Sequence, residues 1–374
     1  MNRLNILLLD GDLSRGGGTE RMTQILSSLL SESSNISVYV VSLNPCLRSY
    51  YELAENVSFL SLKKGNIPIL SSIWQLCKTF RKYSIDILIN VDTFLSLYTI
   101  PLKLFSKKLK VVSWEMFNLE NDLGISWSTQ LRQFALRWSD YYVCLTHRDV
   151  LAFKEKFSIK KPITYIYNPY EQPSLNSEYN IHSKKIVTAG HFFYTKGYDL
   201  AAEVARIVLH KHKDWKWFFY GDGVELEKIK LLIKEYQLEE QVVFAGRTKD
   251  ISEIYNDSSI YVMTSRLEGF GLVLLEAKSY NLPTIAFDCP SGPNEIIDNN
   301  LSGFLIPAFD IQAMADKIES LINDPCKRLE FAHNSQNNLY KFTKDIFLSK
   351  WNAIINELKE DDLHITNHND SNIC

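Results

Sequence analysis

The chain has 374 residues, of which 45% are hydrophobic and 23% are charged. This composition excludes an extensively disordered protein, and the length favours two domains over a single core. The six cysteines form no CxxC pair, which argues against a zinc knuckle or a disulfide framework and favours a reducing, cytoplasmic location. We expect no signal peptide and no transmembrane span, because no apolar run reaches 18 residues.

The formal net charge of −3 hides an uneven distribution of charge. Residues 1–170 hold 20 Lys and Arg against 14 Asp and Glu, whereas the remainder holds 21 against 30. In the first half, basic residues cluster among aromatic residues near 74–82, 103–110 and 132–138. Such segments can rest on an anionic membrane surface. A solvated helix face is an equally open interpretation.

The first half alternates apolar, β-branched runs with segments of helical period. The strand candidates are, in chain order, "NILLLD", "ISVYVVS", "DILINV", "KVVSW", "YYVCLT" and "ITYIYN". Helical periodicity falls at 19–31, 70–83, 129–138 and 147–157. Strands that alternate with helices predict a parallel sheet covered by helices.

The same alternation of strand and helix candidates begins again after a polar stretch with two prolines, "NPYEQPSLNSEYNIHSK". The later strand candidates are "KIVTAG", "WKWFFYG", "VVFAG", "SIYVMTS", "PTIAFD" and "GFLIP". We therefore predict two doubly wound α/β domains. The predicted parts are a first domain at 1–170, a linker at 171–183, a second domain at 184–340, a helix at 341–360 and a polar, disordered tail at 361–374.

Three consecutive glycines, Gly16 to Gly18, follow the first strand and precede the first helix in "NILLLDGDLSRGGGTERMTQIL". The segment lacks the third spaced glycine of a Rossmann fingerprint and the Gly-Lys-Ser/Thr of a P-loop. Glycines still allow backbone N–H groups to approach an anion at a helix N-terminus. A simple tight turn is the alternative. Asp10 and Asp12 imitate a DxD metal motif, but such triplets are common, and we expect no metal there.

The segment "TSRLEGFGLVLLEAKSYNLPTIAFD" carries the stronger signal. Glu268 follows a predicted strand, Gly269-Phe270-Gly271 comes next, and Glu276 lies in the following helix. Ligands of open α/β sheets bind beyond the carboxyl ends of the strands. Free N–H groups at the helix start can take a phosphate or hydroxyl oxygen, and the carboxylates can accept hydrogen bonds from sugar or ribose hydroxyls.

These segments resemble the family 4 retaining glycosyltransferases of the GT-B fold. "EGFGLVLLE" fits their E-x7-E motif, "GHFFYTKG" their G-R-x4-K-G loop, and "GGTERM" their N-terminal glycine loop. The segment "CPSGPNEII" resembles the corresponding segment in the subgroup of these enzymes that builds bacterial capsule, exopolysaccharide and lipopolysaccharide chains. The resemblance covers roughly residues 4 to 355. It implies two Rossmann-like domains that face each other across a cleft, with the 341–360 helix crossing back to the first.

The resemblance implies three catalytic residues. Lys196 would bind the departing diphosphate, and Glu268 would hold the donor sugar. Glu115, in "VVSWEMFN", would lie close to the acceptor and the donor sugar, unless it only caps a neighbouring helix. A Lys ammonium and helix N-termini can stabilise a leaving diphosphate without a metal. We therefore expect no metal and no cofactor apart from the nucleotide-sugar co-substrate.

A wider set of residues is implied to contact the donor. Glu276 would bind the ribose hydroxyls, and Arg247 would lie near the base. The glycine loop would close over the pyrophosphate from the opposite domain, as an accessory to a nucleotide held mainly by the second domain. The implied substrate-binding residues are Gly17, Gly18, His191, Lys196, Arg247, Glu268, Gly269, Phe270, Gly271, Leu272 and Glu276.

Two positions depart from the family pattern. His191 stands where the family usually has Arg, so the diphosphate would lose a permanent, bidentate partner. Met116 stands where many relatives carry His after "WE". Either the acceptor arrangement differs or the activity is reduced. His191 as an ordinary loop histidine and Lys196 as a plain surface lysine are the alternatives without function.

The sequence thus predicts a retaining, metal-independent glycosyltransferase that moves a hexose from a UDP-hexose to a lipid-linked or surface polysaccharide acceptor. We expect it in the cytoplasm, with peripheral contact at the inner face of the cell membrane through the basic first domain. Two alternatives stay open: a GT-B sugar-nucleotide epimerase, and a partner subunit that has lost catalysis through the changes at 191 and 116. Nucleic acid is not expected as a partner, because the second half is acidic.

Overall fold

The structure is a computed structural model that describes residues 3–370 apart from 64, 66–67, 107, 123, 173–178 and 249. The chain divides into two compact units. The first unit contains residues up to Asn168 together with those from Asp345 onward, and the second is Pro169–Lys344. Part of the predicted linker, 173–178, lies outside the described residues.

The first unit contains a seven-stranded sheet in which every neighbouring pair is parallel. Its strands are β1 (Leu4–Asp10), β2 (Ile36–Ser42), β3 (Val57–Ser61), β4 (Ile87–Val91), β5 (Lys110–Trp114), β6 (Tyr141–Cys144) and β7 (Ile163–Tyr165). The order is β3-β2-β1-β4-β5-β6-β7, so the winding reverses between β1 and β4. The carboxyl ends of strands at such a reversal are the usual place for ligands.

Helices cover both faces of this sheet. They are α1 (Gly18–Ser31), α2 (Pro68–Tyr83), α3 (Ser96–Thr99), α4 (Ser128–Trp138) and α5 (His147–Lys156), with 3-10 turns at Thr93–Leu95 and Ile100–Leu104. All residues of β4 and β5 are buried, as expected for central parallel strands. Leu76 of α2 shares one apolar core with Leu7 of β1 and Leu102.

The second unit contains a six-stranded parallel sheet in the order β10-β9-β8-β11-β12-β13. Its strands are β8 (Lys185–Ala189), β9 (Lys216–Tyr220), β10 (Val242–Gly246), β11 (Ile260–Met263), β12 (Thr284–Phe287) and β13 (Gly303–Ile306). Its helices are α6 (Tyr198–Lys211), α7 (Leu226–Glu235), α8 (Ile251–Tyr255), α9 (Leu272–Ser279), α10 (Pro293–Ile296), α11 (Ile311–Asn323) and α12 (Pro325–Asn334), with 3-10 turns at Tyr194–Lys196 and Leu339–Phe342. Here the winding reverses between β8 and β11.

The last helix, α13 (Lys344–Asp370), belongs to the first unit from Asp345 onward. Its Trp351 is 0% exposed, and its ring centroid lies 4.9 Å from that of Trp114 on β5. The sequence predicted this helix at 341–360 and a disordered tail from 361, yet the helix continues to Asp370. Once a helix is nucleated, each added residue gains one backbone hydrogen bond without a new nucleation cost, so a polar segment can extend the helix. Residues 371–374 lie outside the described residues.

Two doubly wound parallel α/β units confirm the predicted fold class. The predicted strand segments correspond to every strand except β3, a five-residue edge strand with the sequence "VSFLS". Only its first residue is buried, so it lacks the continuous apolar run by which the inner strands were recognised. In the part of the chain that the structure describes, we find no helix with the length and apolarity needed to cross a membrane.

We expect Trp351→Ala to lower the free energy of unfolding of the first unit by about 3–5 kcal/mol, because it leaves a large cavity beside Trp114. Hydrogen exchange followed peptide by peptide separates the two units. Protection should fall at β5 and stay unchanged at β11. Trp127→Ala, at a position that is 48% exposed, is the matched control. Unchanged protection at β5 in the Trp351 variant would contradict this packing role for α13.

Candidate active site

The loop after β8 and the loop after β11 are held together as one structure. The backbone N–H of Arg266 donates to the carbonyl oxygen of Thr195 over 2.8 Å. The guanidinium of Arg266 makes two 2.7 Å hydrogen bonds to the carboxylate of Asp199, in the first turn of α6. It also lies 4.0 Å from the ring centroid of Tyr194. These contacts join the segment "GHFFYTKG" to the segment that begins with "TSRLEGFG".

Gly197 makes this close approach possible. It precedes α6 with φ +66°, a left-handed conformation that favours glycine. A Cβ atom at this position would overlap the carbonyl oxygen of Thr264. The Thr264 hydroxyl donates to the carbonyl oxygen of Gly197 over 2.8 Å. The glycine that follows Lys196 therefore sets both the start of the helix and the position of the lysine beside β11.

Lys196 and Glu268 form an ion pair at the centre of the site. The Lys196 Nζ atom lies 2.7 Å from Glu268 Oε1, and the Ser265 hydroxyl donates to the same oxygen over 2.6 Å. The Lys196 side chain is 29% exposed, whereas the Glu268 side chain is only 6% exposed. The Ser291 hydroxyl donates to the Glu268 carbonyl oxygen over 3.0 Å. The carboxylate is thus fixed by its neighbours, and the ammonium can still reach solvent.

The N-terminus of α9 follows directly after Glu268. Gly271 precedes the helix with φ +97°, and the backbone amides that the family resemblance implies as donor contacts lie at Gly269, Phe270, Gly271 and Leu272. A Cβ atom at Gly292, which has φ +103°, would overlap the carbonyl oxygen of Phe270. The segment "CPSGPNEII" therefore supports the backbone of this loop, a role that the sequence did not indicate.

Glu276 lies in the second turn of α9 and is buried. The Tyr255 hydroxyl donates to Glu276 Oε2 over 3.0 Å. Burial, with the nearby carboxylates of Glu268 and Glu276, raises the pKa of Tyr261 well above its usual range. The sequence missed both tyrosines, because Tyr261 lies inside a strand of core residues and Tyr255 is 21 positions away from Glu276. No spacing signal in the sequence connects them to the two glutamates.

Three basic side chains converge in the second unit. Burial lowers the pKa of His191, and the neighbouring charges of Arg247 and Lys196 lower it further, against the raising effect of Asp222. These effects favour the neutral form of the His191 imidazole in the free protein. The structure brings together the three side chains that were expected near the phosphates and base, and their binding roles stay predictions.

The loop after β9 packs against the backbone around His191. The Phe192 N–H donates to the carbonyl oxygen of Asp222 over 2.9 Å, and the Glu225 N–H donates to the carbonyl oxygen of Phe192 over 3.0 Å. A Cβ atom at Gly221 would overlap the carbonyl oxygen of Gly190. The segment "WKWFFYGDG" is thus architectural, and its glycines let two loops at the same sheet edge pass closely.

The glycine loop belongs to the first unit. Gly17 precedes α1, and its N–H donates to Glu20 Oε2 over 3.1 Å, while Gly18 is the first residue of the helix. Burial and the neighbouring Asp10 carboxylate raise the pKa of Glu20 to about 7. Asp10 accepts hydrogen bonds from the Thr23 hydroxyl over 2.6 Å and from the Asp12 N–H over 3.1 Å. Within the described ranges, no three His, Cys, Asp or Glu residues are grouped as a metal site.

Glu115 also lies in the first unit, immediately after β5. Its Oε2 atom accepts a 3.0 Å hydrogen bond from Arg132 of α4 and a 2.8 Å hydrogen bond from the Tyr142 hydroxyl. The carboxylate is buried in this ion pair, and Met116 beside it is also buried. Glu115 is therefore not a helix cap. Its catalytic role stays a prediction.

Asp92, at the carboxyl end of β4, is an acid that the sequence did not single out. Its backbone adopts φ +118°, which is rare for a residue other than glycine and is often found at functional sites. Desolvation, followed by the nearby Glu115 carboxylate, raises the pKa of Asp92 to about 8. Asp92 and Glu115 follow neighbouring strands next to the reversal in the first sheet.

Comparisons with known proteins are consistent with this geometry. Residues 176–340 match the family model described as glycosyl transferases group 1. The amylovoran biosynthesis glycosyltransferase AmsD of Erwinia amylovora is 31% identical over 358 residues, which cover 94% of this chain and 99% of AmsD.

Two solved structures share the fold. Staphylococcus aureus TarM, in a mutant form solved with fondaparinux, α-GlcNAc-glycerol and UDP, is similar with a TM-score of 0.79 and 18% identity. The match covers 95% of this chain and 100% of that one. Anabaena HepE, solved with UDP and glucose, also gives a TM-score of 0.79, at 16% identity with 95% and 100% coverage. The near-complete match to AmsD, together with the family model, shows that the chain belongs to the group 1 glycosyl transferases and is a glycosyltransferase of the GT-B fold.

Proposed function

We propose that the protein transfers a hexose from a UDP-hexose to a lipid-linked or surface polysaccharide acceptor, without a metal and with retention of the anomeric configuration. The ion pair between Lys196 and Glu268 at the N-terminus of α9 carries this proposal. UDP in the structures of TarM and HepE supports the choice of nucleotide. The role of AmsD in amylovoran biosynthesis supports a polysaccharide acceptor.

The basic side chains would stabilise the leaving group. As the bond between the sugar and the diphosphate breaks, negative charge grows on the phosphate oxygens. Lys196 is near enough to solvent to receive those oxygens, and His191 lies near both Lys196 and Arg247. The free N–H groups at the start of α9 add a positive dipole end. Each such fixed donor typically contributes about 3–4 kcal/mol to lowering the barrier.

The two glutamates would position the donor. Glu268 accepts hydrogen bonds from Lys196 and Ser265 at one carboxylate oxygen, so its other oxygen can accept a hydrogen bond from a sugar hydroxyl. Tyr255 orients Glu276, which would receive the ribose hydroxyls. In a retaining, front-face reaction, the acceptor oxygen bonds to the anomeric carbon on the side that the diphosphate leaves. The departing phosphate oxygen takes the acceptor proton.

We expect Lys196→Ala and Glu268→Gln each to reduce UDP release from UDP-hexose by about 10²–10³-fold, because each removes a group that interacts with the developing charge or the sugar. Slow hydrolysis of the donor needs no acceptor and is measured as free UDP. Lys211→Ala is the matched control, since Lys211 forms an ion pair of the same 2.7 Å length with Glu319 on the surface of the same unit.

Unchanged UDP release in the Lys196 and Glu268 variants would contradict the proposed site. Conversion of the sugar to its epimer, with no acceptor present, would instead identify an epimerase. Absence of both reactions in the wild-type protein, together with absence of nucleotide binding, would identify a partner subunit without catalytic activity.

UDP binding should be accompanied by proton uptake at His191. In the free protein, burial and the two cations lower the pKa of His191. A bound diphosphate adds negative charge, which raises this pKa in the complex. Binding therefore tightens as the pH falls from 8 to 6. His191→Gln should bind UDP with less proton uptake, and His191→Arg should bind more tightly than wild type at pH 8.

Calorimetry at pH 7 in two buffers of different ionisation enthalpy measures the uptake. Protonation of UDP itself contributes equally to wild type and His191→Gln, so the difference between the two proteins reports on the imidazole. Identical proton uptake in both would show that His191 does not face the diphosphate.

A further inference from the structure

Helix α2 has apolar residues on its solvent-exposed side as well as on the side that packs against the core. Leu76 is buried in the core of the first unit, and Cys77 and Phe80 pack against the same core. Leu70 and Trp74, one turn apart on the outer side, are 62% and 58% exposed. The solvent-exposed side of a surface helix is ordinarily polar. Packing within the first unit does not explain these two side chains.

The exposed apolar surface continues beyond α2. Leu104 and Phe105, at the end of the 3-10 turn, are 87% and 56% exposed, and Trp138 at the end of α4 is 50% exposed. The Arg81 guanidinium of α2 lies 5.6 Å from the ring centroid of Phe105. We use the term outer face for the surface formed by Leu70, Trp74, Leu104, Phe105 and Trp138.

Hydrogen bonding connects the last part of the outer face. Lys103, next to Leu104, donates from Nζ to the carbonyl oxygen of Trp138 over 3.2 Å. Contacts therefore link α2 to the 3-10 turn and the 3-10 turn to the end of α4. Trp127 is also exposed but does not belong to it, because it precedes the opposite end of α4, about 15 Å away at 1.5 Å per residue.

Basic residues predominate around the outer face, where Asp140, two positions after Trp138, forms a 2.6 Å ion pair with Lys103. Residues 68–83 and 100–110 together hold seven Lys and Arg and no Asp or Glu. The Lys78 ammonium lies 3.5 Å from the ring centroid of Trp74. Long basic side chains keep their charge in water while their stems cover apolar surface, and Trp has an apolar body with a polar tip. This combination suits a boundary between a charged layer and an apolar layer.

We propose that the outer face rests on the surface of an anionic lipid bilayer, with its apolar side chains among the acyl chains and its Lys and Arg residues at the lipid phosphates. Charge complementarity favours this occupant. A second copy of the chain is disfavoured, because a symmetric contact would place the same basic residues against each other. Exposed apolar patches of this kind mark interaction sites on proteins.

The contact would keep the enzyme beside a lipid-linked acceptor, and this benefit rests on the proposed function. The membrane contact itself does not depend on the donor site, because the outer face belongs to the first unit and the donor residues belong to the second. Vesicle binding and nucleotide binding can therefore fail separately.

The test is sedimentation of the full-length protein with vesicles of phosphatidylcholine alone or with phosphatidylglycerol added. The apolar variant is Leu70→Ser with Trp74→Ser, and the charge variant is Lys78→Gln with Arg81→Gln. The matched control is Tyr340→Ser with Lys341→Gln, which removes an exposed aromatic residue and its neighbouring lysine from the second unit. Circular dichroism and thermal unfolding, measured for each protein, show whether it is folded.

We expect wild type and control to bind the anionic vesicles and to bind neutral vesicles far more weakly. The charge variant should lose about 10–30-fold in affinity for the anionic vesicles, since each nearby basic residue contributes about fivefold. The apolar variant should lose at least tenfold, and high salt should weaken wild-type binding. The charge variant tests the proposal even if the apolar variant fails to fold.

Three results would overturn the proposal. Wild type could fail to bind anionic vesicles, or it could bind neutral and anionic vesicles equally. The outer-face variants could bind as wild type does. A concentration-dependent dimer that the apolar variant abolishes, without vesicle binding, would show that the outer face is an interface between copies of this chain.

Discussion

The ion pair between Lys196 and Glu268 is the interaction on which the donor site depends. It joins residues 72 positions apart in sequence, and each comes from a loop at the carboxyl edge of the second sheet. The pair exists only because Gly197 lets one loop approach Thr264, and because Arg266 fastens that loop to Asp199. A cation and a carboxylate that are already held in place need little reorganisation when charge develops on a substrate.

The two units differ in the chemistry at their sheet edges. In the second unit, the cationic side chains of Lys196 and Arg247 lie near His191, an arrangement suited to a diphosphate. In the first unit, acids predominate at the ends of β1, β4 and β5. Burial and mutual repulsion raise the pKa values of Glu20 and Asp92 to about 7 and about 8. Groups that titrate in this range change protonation state near neutral pH.

Much of this arrangement could be predicted from the sequence. The alternation of apolar runs and helical segments located all strands except the short edge strand β3, and the family resemblance assigned both Lys196 and Glu268 to the donor. Three features could not be predicted. Tyr255 and Tyr261 reach the glutamates only through tertiary packing. Position 292 requires glycine because the carbonyl oxygen of Phe270 occupies the space of a Cβ atom, a contact that forms only in the folded chain. The left-handed backbone of Asp92 is imposed by its surroundings and has no local sequence signal.

Calorimetric titration with UDP, GDP and ADP, each with magnesium and with a chelator, tests most directly whether the second unit holds the donor nucleotide. We expect UDP to bind preferentially, with the same affinity in both conditions, and Lys196→Ala to abolish the binding. If no nucleotide binds, or if Lys196→Ala binds UDP as wild type does, the ion pair is not the donor site and the proposed chemistry is wrong.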